Sequence, residues 1–362
     1  MSLPILSKPV AVEPASAEAL GHPIRGPRAL DNSWTRFWQL AYNIARSEFK
    51  LKFFGSALGY VWQVMRPLLL FGVLYVFFVD IFHVDRAQGA AARFYGAQLL
   101  GSIVLFTFFT EAATGAVRSV VDRENLVRKI QFPRLAIPIS IVLLALFNLA
   151  LNLVVVMVFA LISGVRPLLS WLELPLIVLM VTALATGVAM LLSALFVKFR
   201  DIQPIWEVLS QILFYSSPVI IPAETVRKKL LEEGGKLVNR GLTAGHVQPQ
   251  LSAHLARVVV AGHARTRLVD AHLVNVVVGR EPKKVYVHAG LDHFLYHLYT
   301  LNPLVTVFQQ FRHAMINRGT YSAGQILGSW TALLEPLGLV AAIFVLGFWY
   351  FNREAPHIAE DL

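Results

Sequence analysis

Two long apolar runs, Gln98–Val117 and Leu135–Ile162, are joined by a short stretch dense in charge, and that arrangement leaves few folds open. Each run is long enough to cross a bilayer as a helix rising about 1.5 Å per residue. The stretch between them carries Arg118, Arg123, Arg128, Lys129 and Arg134 against Asp122 and Glu124. An excess of Lys and Arg in a short loop marks the cytoplasmic side of a membrane. Leu126, Val127, Ile130 and Phe132 are interleaved with the charges. Asp122 suits the start of a helical turn, and Pro133 ends it by pushing its predecessor out of the helical region. Residues 118–134 fit a short surface helix with an apolar face, and equally a solvated loop.

Composition supports a membrane reading. Of 362 residues 56% are hydrophobic and only 15% charged, with a mean hydropathy of +0.60. Soluble domains sit nearer a quarter charged, so a polytopic membrane protein is expected. The net charge of +10 is then an orientation and headgroup signal rather than a sign of nucleic-acid binding. Without cysteine the chain has no disulfide, thiolate zinc site or cysteine nucleophile, and its redox compartment is unread. The first thirty residues hold no apolar core followed by a cleavage site, so the earliest span is expected to direct insertion.

Taken in order, 1–32 is rich in Pro, Ala and Gly and is expected to be a flexible cytoplasmic tail. Over 33–54, Trp34, Phe37, Trp38, Ala41, Ile44, Ala45 and Phe49 recur on one helical face, with Arg36, Gln39, Asn43, Arg46 and Lys50 on the other. This suits an amphipathic helix lying in the headgroup region, or a helix packed on a core. Spans one to five occupy 58–222, at about Tyr60–Phe82, Gly96–Val117, Leu135–Ile162, Leu174–Val197 and Pro204–Ile221, the last broken at Pro218 and Pro222. A sixth runs over 327–352, about Leu327–Phe351, and leads into a cytoplasmic tail at 353–362. Six spans put both termini on one side, and the basic short loops make that side the cytoplasm. Between spans five and six, Glu224–Asn239 reads as a charged helix. Arg257–Val260, Leu273–Val278 and Lys284–His288 read as short strands, with a turn at Gly279–Pro282. Residues 223–299 are thus expected to form a small α+β module outside the cytoplasmic membrane. The fold expected is an all-α polytopic membrane protein with six spans, an interfacial helix and that insertion.

The phrase NLVRKIQFPRLAIP at 125–138 resembles the cytoplasmic hook of membrane subunits in type-2 ABC exporters, the class that moves O-antigen, teichoic acid and other lipid-linked polysaccharides. RDIQPIWEVLSQILFYSSPVIIP at 200–222 resembles that family's fifth span, with its charged opening and Ser-Pro-Val break. LNPLVTVFQQFRHAMINRG at 301–319 resembles its outer segment, which dips back as short re-entrant helices, here over 300–326. The resemblance covers 35–222 and 300–352, whereas 223–299 is longer than the family's loop. It implies a bacterial inner-membrane permease working as a homodimer with two copies of a separate ABC ATPase, which would hold ATP and magnesium. The chain itself has no Walker loop, because Gly234-Gly235-Lys236-Leu237 lacks the leading glycine and the Ser or Thr after lysine. The surfaces the resemblance offers the ATPase are Asp122, Glu124, Asn125, Arg128, Lys129 and Phe132 of the hook, with Arg36 and Arg46 of the first helix.

Glu111 is the one carboxylate deep in an apolar span. A charge there costs a few kcal/mol unless it meets protein or water, so it lines a path or is a paired structural group. Asn148 and Asn152, four apart, can bond between helices or meet sugar hydroxyls. Sugar rings stack on aromatic faces, which makes Trp62, Tyr75, Phe109 and Tyr215 candidates for a substrate path with Glu111 and Asn152, although most such residues face lipid or pack. Glu207 and Glu335 read as interfacial. Seven histidines fall in 223–299 without a companion acid motif, so no metal site is assigned. Rival readings are an exporter of a small lipid or drug, an ion-coupled carrier, and a membrane-embedded glycan or acyl transferase with its active part in 223–299.

Overall fold

The computed structural model describes residues 34–53, 59–84, 92–124, 132–228, 230, 274–278, 281–285, 289–316, 320–329 and 331–357. Its helices are α1 (Trp34–Phe53), α2 (Gly59–Tyr75), α3 (Tyr95–Val117), α4 (Ala136–Ile162), α5 (Leu174–Lys198) and α6 (Ile202–Ser216). They continue as α7 (Ala223–Arg227), α8 (Ala289–Leu301), α9 (Pro303–Ile316), α10 (Ala323–Leu327) and α11 (Leu334–Glu354). Among the described residues five helical segments are long and apolar enough to cross a membrane: Val61–Ile81, Ala92–Val117, Ala136–Ile162, Leu169–Lys198 and Thr331–Glu354.

Helix α3 is the hub. It is apolar around its whole circumference, which is the pattern of a helix surrounded on all sides. Helices α2, α4, α5, α6 and α9 all pack on it. Its small residues let neighbours approach: a Cβ on Gly101 would lie 2.4 Å from the buried Phe311 ring of α9. Helices α5 and α11 cross still more closely, since a Cβ on Gly347 would lie 2.2 Å from the carbonyl oxygen of Gly187. Close approach at small residues is how helices gain dispersion contacts in lipid, where no hydrophobic force separates apolar side chains from acyl tails. Helix α2, which stays helical through Pro67 and widens into a π-turn at Val76–Ile81, is exposed along most of its length.

Four of the expected spans match observed helices to within a residue or so at the ends that were assigned; the other two differ. The fifth span was expected to reach Ile221, but α6 ends at Ser216. Ser217 is extended, at φ −100° and ψ 156°, because it precedes Pro218. At fifteen residues α6 covers about 22 Å, short of the roughly 30 Å hydrocarbon core. The last span was expected from Leu327 but begins at Leu334. A capping box at Ser322 and Gln325 starts the separate helix α10, and Gly328, at φ 86°, stops it in a left-handed turn.

In the insertion, Val274–Val278 (β1) pairs antiparallel with Glu281–Val285 (β2), in the register Val274 to Val285 and Val278 to Glu281. The second strand therefore begins inside the expected turn. The Arg257–Val260 strand and most of the Glu224–Asn239 helix lie outside the described residues, as do the tail at 1–32 and the core of the hook.

The Gly187–Gly347 crossing makes a prediction. Gly347→Val has no room between two backbones, so it should destabilise the purified protein by at least the ~1–3 kcal/mol of an overpacked core, read as a lowered melting temperature in detergent. Gly338→Val on the same helix meets nothing within 4 Å and should melt as the parent does.

Candidate functional site

The first helix is amphipathic as its spacing predicts. Phe37, Ala41 and Ala45 are buried, while Arg36, Gln39, Asn43, Arg46 and Lys50 are exposed. The apolar stripe rests chiefly on α4 of the same chain, so the packed-helix alternative describes its centre. Trp34, Trp38 and Tyr42 remain exposed at its edge. Phe147 of α4 receives the rings of Tyr42 and Phe49 edge-on, at 6.0 and 5.6 Å.

Two ion pairs fasten this helix to the bundle. Glu48 accepts from the guanidinium of Arg123, at the end of the turns that carry α3 into the hook. Lys52 Nζ lies 2.9 Å from Glu111 Oε1, and the same oxygen accepts from Asn148 Nδ2 at 2.7 Å. Asn152 Nδ2 in turn donates to the carbonyl of Asn148 at 3.0 Å. Glu111, six residues from the end of α3, is thus satisfied by a cation reaching in from the surface helix. It is 29% exposed and Lys52 36%, so the pair sits at a wet boundary rather than in a dry core.

The hook is described only at its ends. Hydrogen-bonded turns continue from Arg118 to Glu124, with Asp122 exposed. Asn125, Arg128 and Lys129 lie outside the described residues. Phe132 packs against a cluster that includes Phe37, Ala41, Val120 and Leu135, so it braces the base of the hook from inside. Arg134 is buried and donates to the carbonyl of Ala355, joining the hook's far end to the end of α11.

The residues considered for a substrate path separate by exposure. Tyr215 is 77% exposed and Trp62 54%. Phe109 is 2% exposed and lies edge-on to Trp206, whose indole nitrogen donates to Thr114 at 2.9 Å. Asn152 is buried, and the Tyr75 ring closes on Gly96. In this conformation Phe109, Asn152 and Tyr75 pack the bundle. Sequence reasoning set Glu207 aside as interfacial and passed over Gln211. On α6 both are exposed and share one stripe with Tyr215, four residues apart each time. That i, i+4, i+8 spacing was the available signal. Glu207 accepts from Gln203 at 3.1 Å, and an exposed carboxylate on an otherwise apolar helix requires water or protein opposite it.

Beyond the stripe the chain is unwound from Ser217 to Pro222, and α9 lies against it. Asn302 Nδ2 donates to Ser217 Oγ at 3.2 Å, and its Oδ1 caps the start of α9 through Leu304 N at 3.0 Å. Tyr95 donates to the carbonyl of Ile220 at 2.8 Å. Arg312, wholly buried, donates to the carbonyl of Pro218 at 3.5 Å and to Gln98 of α3. Gln309 donates to Glu224 and to the carbonyl of Tyr321, both at 2.7 Å. Trp171 and Ser170 donate to the carbonyls of Met315 and Ala314, at 3.0 and 2.7 Å. Helix α9 is therefore a short element clamped at both ends. Among the described residues no group of three His, Cys, Asp or Glu is placed to hold a metal.

Residues 39–234 match the ABC-2 type transporter family. Two O-antigen export system permease proteins RfbA of Klebsiella pneumoniae are 27% and 25% identical to the chain over 187 residues, which is 51% of this chain and 70% of each relative. An O-antigen export system permease protein RfbA of Myxococcus xanthus is 26% identical over 188 residues, 52% of this chain and 70% of that one.

Two outcomes are expected of the polar contacts. Lys52→Glu places two acids together and should lower transport, and the reversed pair Lys52→Glu with Glu111→Lys should restore part of it. Because both groups are partly exposed, the coupling in a double-mutant cycle should be about 0.5–1 kcal/mol. Arg312→Met leaves Gln98 and the Pro218 carbonyl without this donor and should cost about 1–3 kcal/mol, read by thermal unfolding in detergent.

Proposed function

Since the matched segment takes up more than half of its length, the chain belongs to the ABC-2 type transporter family and is a membrane transport subunit, and we propose that it forms the channel of an exporter for a lipid-linked polysaccharide of the O-antigen class. The observation that carries the reading is the exposed Glu207, Gln211 and Tyr215 stripe on a helix too short to span. A polar and aromatic face of this kind suits sugar hydroxyls and ring faces, and it is costly against acyl chains. The likeness to O-antigen export permeases supports the same substrate class.

In this reading two copies of the chain enclose one path. The faces left exposed on α2, with Trp62, and on α6, with Tyr215, are those a second copy would meet. The fifth crossing is completed by the unwound Ser217–Pro222 segment, giving six crossings with both termini in the cytoplasm of a bacterial inner membrane. The basic helix ends at Arg118, Lys198, Arg200 and Arg353 support that side, because the connectivity places them together. A separate ATPase, in two copies and holding ATP and magnesium, docks on the hook and the exposed face of α1. Its closure pushes on both, and the Glu48–Arg123 and Lys52–Glu111 pairs pass that push to α3.

Two experiments test the reading. Replacing Arg128 with Glu and Glu124 with Lys should abolish co-purification with the ATPase and stop export together; intact binding and export would remove the hook from the mechanism. Glu207→Ala with Gln211→Leu should leave ATPase binding intact while surface polysaccharide falls and the lipid-linked glycan accumulates inside. Unaltered surface polysaccharide would exclude the α6 stripe as the path.

A further inference from the structure

A long cavity of about 380 Å³ runs beside α1, lined by α4, α5 and α11 and roofed by Trp34, Phe37 and Trp38. Its walls are apolar. The two hydroxyls in them, of Thr182 and Thr186, both donate to carbonyls of their own helix at 2.7 Å. An apolar cavity does not hold water, and this one is more than twice the roughly 150 Å³ of an engineered cavity that takes up benzene. The groove follows the helices. On α4 it extends from Leu135 to Leu146, and on α5 from Met190 back to Leu179. Eleven residues rise about 17 Å, close to the ~15 Å that half a hydrocarbon core occupies. Its lower end, at Leu135, Met190 and Phe348, lies toward the helix ends that carry Arg134, Lys198 and Arg353, and the exposed Trp34, Trp38, Leu179 and Phe344 stand along its sides.

We propose that this groove holds one acyl chain of a phospholipid from the leaflet on the basic side. Depth, length and apolar lining fit a single alkyl chain of that leaflet. The chain enters sideways, so its headgroup stays at the surface, where Arg200 and Arg353 supply positive charge beside the paired Lys198 and Glu354, 2.6 Å apart. The two tryptophans lie where indoles settle, between headgroups and acyl chains. The bound chain fills the space between α1 and the bundle, so α1 rests partly on lipid. The site is separate from the polar α6 stripe, and its test does not depend on what the exporter carries.

The full chain is reconstituted in phosphatidylethanolamine and phosphatidylglycerol vesicles with a trace of phospholipid bearing a photoreactive diazirine midway along one acyl chain. Cross-linked positions are mapped by mass spectrometry. Labelling should concentrate on Leu143, Leu146 and Thr186, several-fold above the exposed Val154 and Val158. Ala183→Phe, which fills the groove, should remove most of it without changing Val154 and Val158. Leu143→Ala, which enlarges the groove, should keep or raise it at Leu146, and covers the case in which the filled variant fails to fold. Equal labelling of groove and exposed faces, or labelling unmoved by Ala183→Phe, would overturn the proposal. So would labelling by a photoreactive polyprenyl phosphate and not by the phospholipid. A disulfide between two copies of Leu143→Cys, the sole cysteine in such a chain, would place a second copy there instead and also overturn it.

Discussion

A backbone that leaves the helix away from water must find its hydrogen bonds in protein, and Ser217–Pro222, unwound between α6 and α7, is where this chain meets that demand. A backbone group left unpaired in lipid costs several kcal/mol. The prolines at 218 and 222 make the break unavoidable, and side chains from elsewhere cover it. Tyr95 and Arg312 reach the Ile220 and Pro218 carbonyls, while Asn302 takes the hydroxyl of Ser217. Arg312 comes from α9, so the break and that helix hold each other in place. The glycine at 101 then lets the Phe311 ring of α9 close on α3. One local break thereby fixes the place of a helix some ninety residues later in the chain.

The other constraint is packing without a hydrophobic force. Helices in this bundle meet at glycine and alanine, and α3 is enclosed because neighbours can approach it from every side. Helices α2 and α6 pack on this bundle along one side only and keep large exposed faces among the described residues. Their exposed residues differ in proportion: α2 offers Val61, Trp62, Leu69, Leu70 and Val73 together with Arg66, whereas α6 mixes Ile205, Val208 and Ile212 with Glu207, Gln211 and Tyr215. An apolar face can meet lipid or another chain, but a carboxylate stripe requires water.

Much of this was legible in the residues. Uniformly apolar runs of some twenty residues gave four spans nearly to their ends, because in lipid length and hydropathy leave one solution. The face of α1 was also legible, since Phe37, Ala41 and Ala45 follow helical spacing and are the buried ones. What misled was local. Leu327 looked like part of a span because Gly328 carries no hydrophobic mark of the turn it makes. Phe109 and Asn152 looked available because composition cannot tell a lining residue from a packing one. Gln98, Gln309 and Arg312 were not singled out at all. Gln98 lies 214 residues before Arg312, and only the fold brings it to the buried polar face that Gln309 and Arg312 form on α9.

Helix α1 is held by both kinds of contact, close packing and polar pairing. It is too polar to span and too apolar to float, so it must lie against something. Its small residues settle on α4, its acids and lysines find Arg123 and Glu111, and its tryptophans roof a groove of acyl-chain length. Each contact is weak by itself: partly exposed ion pairs contribute about 1 kcal/mol or less. A helix held by several such contacts can shift without unfolding the bundle beneath it. Strong, dry packing fixes α3, α5, α9 and α11, and the surface helix is joined to them through polar links at a wet boundary. The chain is thus rigid at its centre and adjustable at the face it presents beside the hook.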